Sequence, residues 1–225
     1  MKPQTLLRLS TSFLHSIADV EIEGAQHIPK SGPAIIAVNH LGLLDILLGF
    51  VAVNRPDATG WVADKHLKNP IYKNIVESAD GIWLNRENPD LSSMRIALNY
   101  LKQGRLFAVA PEGTRSPTGK MQLGKEGVAY LAINSGVPII PGGMTGTENY
   151  GSTLIRLRKP KLRIRFGEAF TLPKVERSQR QQQLEQGISE IMCRIAALLP
   201  EKYHGVYANH PRLLELMAHK PAPHT

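Results

Sequence analysis

Apolar residues recur along this chain at two different periods. From Gln4 to Ala18 the positions Leu6, Leu7, Leu9, Phe13, Leu14 and Ile17 fill an arc of roughly 160° at 100° per residue, with Arg8 and His15 opposite. That predicts an amphipathic helix, either packed on a core or lying in a bilayer interface, and both readings stand. Pro33 to Val38 is an unbroken apolar run, predicting a buried strand, with a helix from about Leu43 to Val53 after it. Trp61 to Ala63 and Gly81 to Leu84 are further strand candidates. Leu91 to Gln103 reads as a helix closed by Gly104. Leu106 to Ala110 predicts a strand, Gly127 to Ser135 a helix, and Val137 to Ile140 a strand. Leu162 to Phe166 alternates strictly, and Ser178 to Leu199 predicts a long amphipathic helix, with a short helix near Leu213 to Met217 in the tail.

Strands separated by helices of this length predict an α/β fold: a single domain with a mostly parallel or mixed β-sheet flanked by helices, plus the N-terminal amphipathic helix. No repeat or linker divides residues 1–225, which split into the helix of 1–18, a core of 20–170, and a C-terminal helix and tail over 176–225. The apolar share of 42% is enough for a sizeable core. No transmembrane helix is expected, because the longest uncharged stretch, Gly127 to Thr147, contains Pro138, Pro141 and Asn134. Arg8 splits the N-terminal apolar residues, and no small-residue cleavage site follows, so a signal peptide is not expected either.

Charge adds one feature. The 27 Lys and Arg exceed the 19 Asp and Glu by 8. Most of that excess is Arg156, Arg158, Lys159, Lys161, Arg163 and Arg165, with no acid among them. Such a stripe suits an anionic surface. It also fits a last strand with Leu162, Ile164 and Phe166 inward and the arginines outward. Aromatics make up 6% of the chain, and none interleaves with these cations, so nucleic acid is not an expected partner. Cys193 is the lone cysteine, which fits a reducing compartment and allows no internal disulfide.

Elimination narrows the chemistry. There is no G-x-S-x-G elbow, no G-x-G-x-x-G after a strand, and no H-x-H or H-E-x-x-H, so no metal site is expected. What remains are polar residues at strand ends, where α/β proteins build their sites. His40 follows the strand of Pro33 to Val38, and Asp45 stands five residues on. A histidine oriented by a carboxylate is a general base and its holder. On a regular helix the two side chains would diverge by about 140°. They meet only if His40 lies in a loop and Asp45 in the first turn of the helix. Otherwise His40 is a helix cap and Asp45 an ordinary first-turn acid. Pro111 to Ser116 follows a second strand. There Gly113 permits a tight turn, Thr114 and Ser116 carry hydroxyls, and Arg115 presents a fork suited to phosphate oxygens. Arg86 is a second strand-end cation, and Lys125 lies close in sequence to the Glu112 loop. Together they describe a base beside an anion pocket.

These residues resemble the glycerolipid acyltransferases, of the lysophosphatidic acid acyltransferase type. Asn39-His40 with Asp45 is similar to that family's N-H-x-x-x-x-D motif, and Gly81 to Arg86 to its second motif. Pro111 to Ser116 matches the third and Val137 to Pro141 the fourth, all within roughly Val20 to Phe170. Gly42, Trp83 and Gly124 depart from the family's common residues, which are serine, phenylalanine or another apolar residue, and an aromatic respectively.

The resemblance implies an O-acyltransferase that passes a fatty acyl group from acyl-CoA or acyl-carrier protein to the hydroxyl of a lysophospholipid, with no resident cofactor. It implies His40 and Asp45 as catalytic residues. It implies substrate binding by Asn39, Arg86, Glu112, Gly113, Thr114, Arg115, Lys125 and Pro138, with Glu112 anchoring Arg86 or Arg115 and Pro138 shaping an acyl tunnel. Other acceptors, glycerol 3-phosphate or a hydroxylated aminolipid, remain within that class. A non-catalytic lipid-binding protein is the reading outside it. Either way the expected place is the cytoplasmic side of a membrane, peripheral or monotopic.

Overall fold

A strand with no polar residue has to be covered on both faces, and the run from Ala34 to Val38 is placed accordingly. The computed structural model describes residues 2–64, 68, 70–84, 91–148, 150–156, 158–174 and 177–218. In chain order its elements are α1 (Pro3–Ile17), β1 (Asp19–Glu23), β2 (Ala34–Val38), α2 (Asp45–Val53), β3 (Thr59–Ala63), α3 (Pro70–Ser78), β4 (Ile82–Leu84) and α4 (Leu91–Lys102). Then follow β5 (Leu106–Val109), α5 (Gly127–Ser135), β6 (Ile139–Thr145), α6 (Tyr150–Ile155), β7 (Lys161–Phe166), α7 (Arg180–Ala196) and α8 (Pro211–Ala218).

The strands form one sheet in the order β1-β7-β6-β2-β5-β3-β4, parallel throughout except where β6 meets β7. The expected α/β architecture with a mixed sheet and an N-terminal helix is therefore what forms. Alternate residues of β2 feed two cores. Ile35 and Ala37 pack with α4, α5 and α7 on one face, and Ala34 and Ile36 pack with α1 and α2 on the other.

Four elements differ from the sequence reading. β6 was expected to stop at Ile140, yet it runs through Pro141-Gly142-Gly143 to Thr145. Proline and glycine are tolerated there because Gly142 and Gly143 face Phe166 and Leu199, where a side chain would collide. β1, with its half-polar DVEIE pattern, is an edge strand recognisable only by its partner β7. α3 and α6 are short helices that the apolar pattern did not mark.

β7 keeps its expected alternation, with Leu162, Ile164 and Phe166 buried. Its outward arginines do not form a free stripe. Register pairs Glu21 with Arg163 and Glu23 with Arg165, and ion pairs follow at 2.6 Å in each case. The Arg165 guanidinium holds Glu23 below the usual carboxylate range, partly against burial.

α1 divides its apolar arc. Leu6, Leu7 and Leu14 are buried, while Leu9 and Phe13, on one flank, are 57% and 55% exposed. Among the described residues no helix is long and apolar enough to cross a membrane. The divided arc makes a stability prediction. Leu14→Ala removes a fully buried side chain and should cost about 2–5 kcal/mol in urea unfolding. Phe13→Gln should stay within about 0.5 kcal/mol of wild type. Equal losses would mean the exposed flank is packed after all.

Candidate active site

β2 and β5 are neighbours whose chains leave in opposite directions. From β2 the chain passes through α2 to β3, beyond β5, and from β5 it passes through α5 to β6, on the far side of β2. The two connecting helices lie on opposite faces of the sheet. Such a divergence, at the carboxyl ends of β2 and β5, is the usual place for a ligand in open α/β sheets.

Register then sets who faces whom. Ala37 pairs with Val109, so three residues further on His40 comes level with Glu112. The His40 N–H donates to Glu112 Oε1 at 3.0 Å, and the His40 carbonyl accepts from Ser116 N–H at 2.8 Å. Both backbone groups of His40 are thus held by the loop after β5. Glu112 Oε2 accepts from the Gln122 backbone N–H at 3.0 Å, so this carboxylate straps two loops together.

The ring of His40 is held separately. Asp45 is the first residue of α2, and one of its oxygens, Oδ2, makes every contact: Leu41 N–H at 2.6 Å, Gly42 N–H at 2.9 Å and His40 Nδ1 at 2.7 Å. A carboxylate accepting from two amides accepts the hydrogen bond of Nδ1–H as well, which makes Nε2 the bare, basic nitrogen. Among the described residues Nε2 has no hydrogen-bond partner. Asp45 is 4% exposed and His40 14%, so the holder is dry and the base reaches the surface. The turn that joins them needs glycine. A Cβ on Gly42 would lie 2.2 Å from the Thr147 carbonyl oxygen, so the serine common in the family does not fit here.

The other expected residues fall into three groups. Lys125 comes to the turn of Gly113. Its backbone N–H donates to Pro111 O at 2.9 Å, and its side chain runs over Gly113, whose Cβ position is 3.2 Å from Nζ. Gly113 adopts φ 69° and returns its N–H to Ala110 O, so that amide is used within the turn. Thr114 is exposed and Arg115 half-buried, and among the described residues Arg115 pairs with no carboxylate.

The second group is structural in placement. Asn39 is fully buried and bonds both ways with the Met144 backbone, at 3.0 and 2.7 Å, tying β2 to β6. Glu112 serves His40 and Gln122 rather than an arginine among the described residues. Pro138 is not brought to the site, because its carbonyl accepts from Ile35 N–H at the opposite end of β2. The third group is Arg86, which lies outside the described residues.

Sequence reasoning missed Gln122, Met144 and the packing at Gly124. There Ile188 and Met192 of α7 occupy the space that an aromatic would need. None of these partners carries a local spacing signal.

Residues 19–145 match the sequence model of the family described as Acyltransferase. The chain belongs to that family. The match spans His40, Asp45 and the Glu112 to Lys125 loop, and ends before α6. A 1-acyl-sn-glycerol-3-phosphate acyltransferase of Limnanthes alba is 33% identical over 72% of this chain and 59% of its own length. The 1-acyl-sn-glycerol-3-phosphate acyltransferase alpha of Mus musculus is 34% identical over 68% of this chain and 54% of its own. The chain therefore spans between about half and three fifths of these relatives. A solved structure, that of the 1-acyl-sn-glycerophosphate (LPA) acyltransferase PlsC from Thermotoga maritima, is similar with a TM-score of 0.62 and 27% identity. That likeness covers 84% of this chain and 79% of the other.

The Glu112 strap can be tested by stability. Burial pushes its carboxyl above the usual value, against the lowering pull of His40 and Gln122. A folded pKa above the unfolded one means that the group favours folding most when protonated, and this share is lost as pH rises through the folded pKa. Glu112→Gln offers one oxygen to two N–H groups and should cost about 1–3 kcal/mol near neutrality. The gap should widen in favour of wild type as pH falls toward 4.5, the ordinary carboxyl value. A gap independent of pH in urea unfolding would contradict the strained burial of this carboxyl.

Proposed function

We propose that this protein is an O-acyltransferase that moves a fatty acyl group from acyl-CoA or acyl-carrier protein to the free hydroxyl of lysophosphatidic acid or a related lysophospholipid. The observation that carries the reading is the His40 ring, held at Nδ1 by a buried carboxylate with Nε2 open, beside the loop that presents Arg115 and Lys125. The printed names of the relatives and of the solved structure support the acceptor class.

The route follows from the geometry. His40 Nε2 takes the acceptor hydroxyl proton as the oxygen attacks the thioester carbonyl. The tetrahedral intermediate collapses, the carbon–sulfur bond breaks, and the thiolate leaves with the proton returned by the imidazolium. Asp45 holds the ring and steadies the imidazolium that forms between the two transfers. Arg115 and Lys125, with Arg86, are assigned to the acceptor phosphate, a positioning role. The route calls on no metal ion or resident cofactor.

Thiol release from an acyl-CoA, followed with a thiol-reactive dye, tests this directly. Wild type should release thiol only when lysophosphatidic acid is added, and a panel with glycerol 3-phosphate and a phosphate-free lysolipid places the acceptor. His40→Ala should lower turnover by about 10²–10⁴-fold with the fold intact, and Asp45→Asn should follow it. Near-wild-type turnover in folded His40→Ala sinks the mechanism. Binding of anionic vesicles without any turnover would favour a lipid-binding module.

Lipid substrates require that the site meet a bilayer, and we infer peripheral association at the cytoplasmic face. Leu9 and Phe13 are exposed on α1, as are Leu43 and Ile46 beside Asp45. α1 and α2 pack on one side of the sheet. Lys159 Nζ donates to His15 O at the end of α1, at 3.2 Å, which joins the basic segment to that helix. Arg163 and Arg165 are paired to glutamates, and the other cations of the stripe, Arg156, Arg158, Lys159 and Lys161, are exposed. Each is worth about 1 kcal/mol near an anionic leaflet, a reach screened beyond about 8 Å.

Co-sedimentation with vesicles of phosphatidylcholine and phosphatidylserine should therefore occur and weaken with salt. The double variant Leu9→Gln/Phe13→Gln should lower it while leaving turnover of a water-soluble short-chain substrate unchanged. Deletion of residues 1–18 is a poor substitute, because Leu6 and Leu14 are core. Undiminished sedimentation of the double variant would remove α1 from the membrane role.

A further inference from the structure

The chain after α7 lies beyond the family match, yet it reaches both loops of the site. Residues 200–213 cross the carboxyl edge of the sheet. Their end is anchored on α7, where Arg212 pairs with Glu190 at 2.6 Å and Leu213 is fully buried. On the way this segment makes two sets of contacts.

The first set holds the phosphate-side loop. Met121 N–H donates to Tyr203 O at 2.8 Å, and Val206 N–H donates to Met121 O at 3.3 Å. The buried hydroxyl of Tyr207 accepts from Gly124 N–H at 3.1 Å. The next amide, Lys125 N–H, goes to Pro111 O. Successive amides are thus pinned to opposite sides, and this aims the Lys125 side chain over Gly113.

The second set holds the base-side loop. Tyr203 hydroxyl donates to Glu148 Oε1 at 2.7 Å, and Glu148 Oε2 accepts from Gly146 N–H at 2.9 Å. Between them Thr147 presses its carbonyl against Gly42, in the turn that carries His40.

We propose that residues 200–207 are a clamp that sets the distance between base and acceptor phosphate, with Tyr207 positioning Lys125 and Tyr203 positioning the His40 turn. The proposal rests on the acyl-transfer reading for its kinetics but not for its binding arm. Each tyrosine acts through a different loop, so their removal should have different signatures. A role confined to stability would give the two variants the same one.

The test uses the full chain with Tyr207→Phe and Tyr203→Phe, which keep the rings and lose only the hydroxyls. Thermal melting and hydrogen exchange confirm that each variant is folded. Exchange should quicken at 121–125 in Tyr207→Phe and at 146–148 in Tyr203→Phe. Tyr207→Phe should weaken calorimetric binding of glycerol 3-phosphate, and raise KM for lysophosphatidic acid, by about 3- to 10-fold with kcat little changed. Tyr203→Phe should lower kcat by about the same factor and leave glycerol 3-phosphate binding as in wild type. Equal effects of the two variants on both quantities would overturn the clamp, as would unaltered binding in Tyr207→Phe or no binding by wild type. Intact binding with no acyl transfer by wild type would instead strike the proposed reaction alone, and the binding and exchange arms would still decide the clamp.

Discussion

A single oxygen atom, Asp45 Oδ2, organises the site. It takes two backbone amides and the imidazole, which solves two problems at once. The amides of Leu41 and Gly42 would otherwise be buried without partners as the chain turns into α2, at a cost of about 1–3 kcal/mol each. The same contacts keep the carboxylate an acceptor, so the imidazole proton stays on Nδ1. Closure of the turn before α2 and selection of the tautomer are therefore one interaction. An aspartate placed one residue later would stand at a different angle on the helix and lose both.

Around that atom the sheet works as a ruler. Register between β2 and β5 brings His40 level with Glu112, and register between β2 and β6 brings Asn39 to Met144. Each partner then fixes a different group of the same short loop: Asn39 the strand end, Glu112 the His40 amide, Asp45 the His40 ring. α2 and α5 depart beside it to opposite faces of the sheet. The burial that raises the Glu112 pKa is what this ruler costs, because a carboxylate between two strand ends has little water to share.

Local spacing made much of this legible. The apolar run at Ala34–Val38 pointed to a central strand. The five-residue gap from His40 to Asp45 required a loop before a helix, and α2 does begin at Asp45. The alternation in β7 held as well. What stayed hidden was long-range. The Arg163 and Arg165 pairs depend on β1, a strand defined only by its neighbour. Glu112 faces an amide rather than an arginine because of register, which is a property of two strands and of neither alone. β6 runs through Pro-Gly-Gly because Phe166 and Leu199 fill the space above it. Tyr203 and Tyr207 stand more than fifty residues from their partners, in a segment with no periodic signal.

The account depends most on which nitrogen of His40 carries the proton. Nitrogen-15 resonances of the imidazole, assigned with the His40→Gln variant as the blank, measure this without substrate. The account predicts a neutral ring protonated at Nδ1 with a bare Nε2 in wild type, and loss of that preference in Asp45→Ala, which removes the accepting oxygen. A ring protonated at Nε2 in wild type, or a tautomer unchanged by Asp45→Ala, would contradict it.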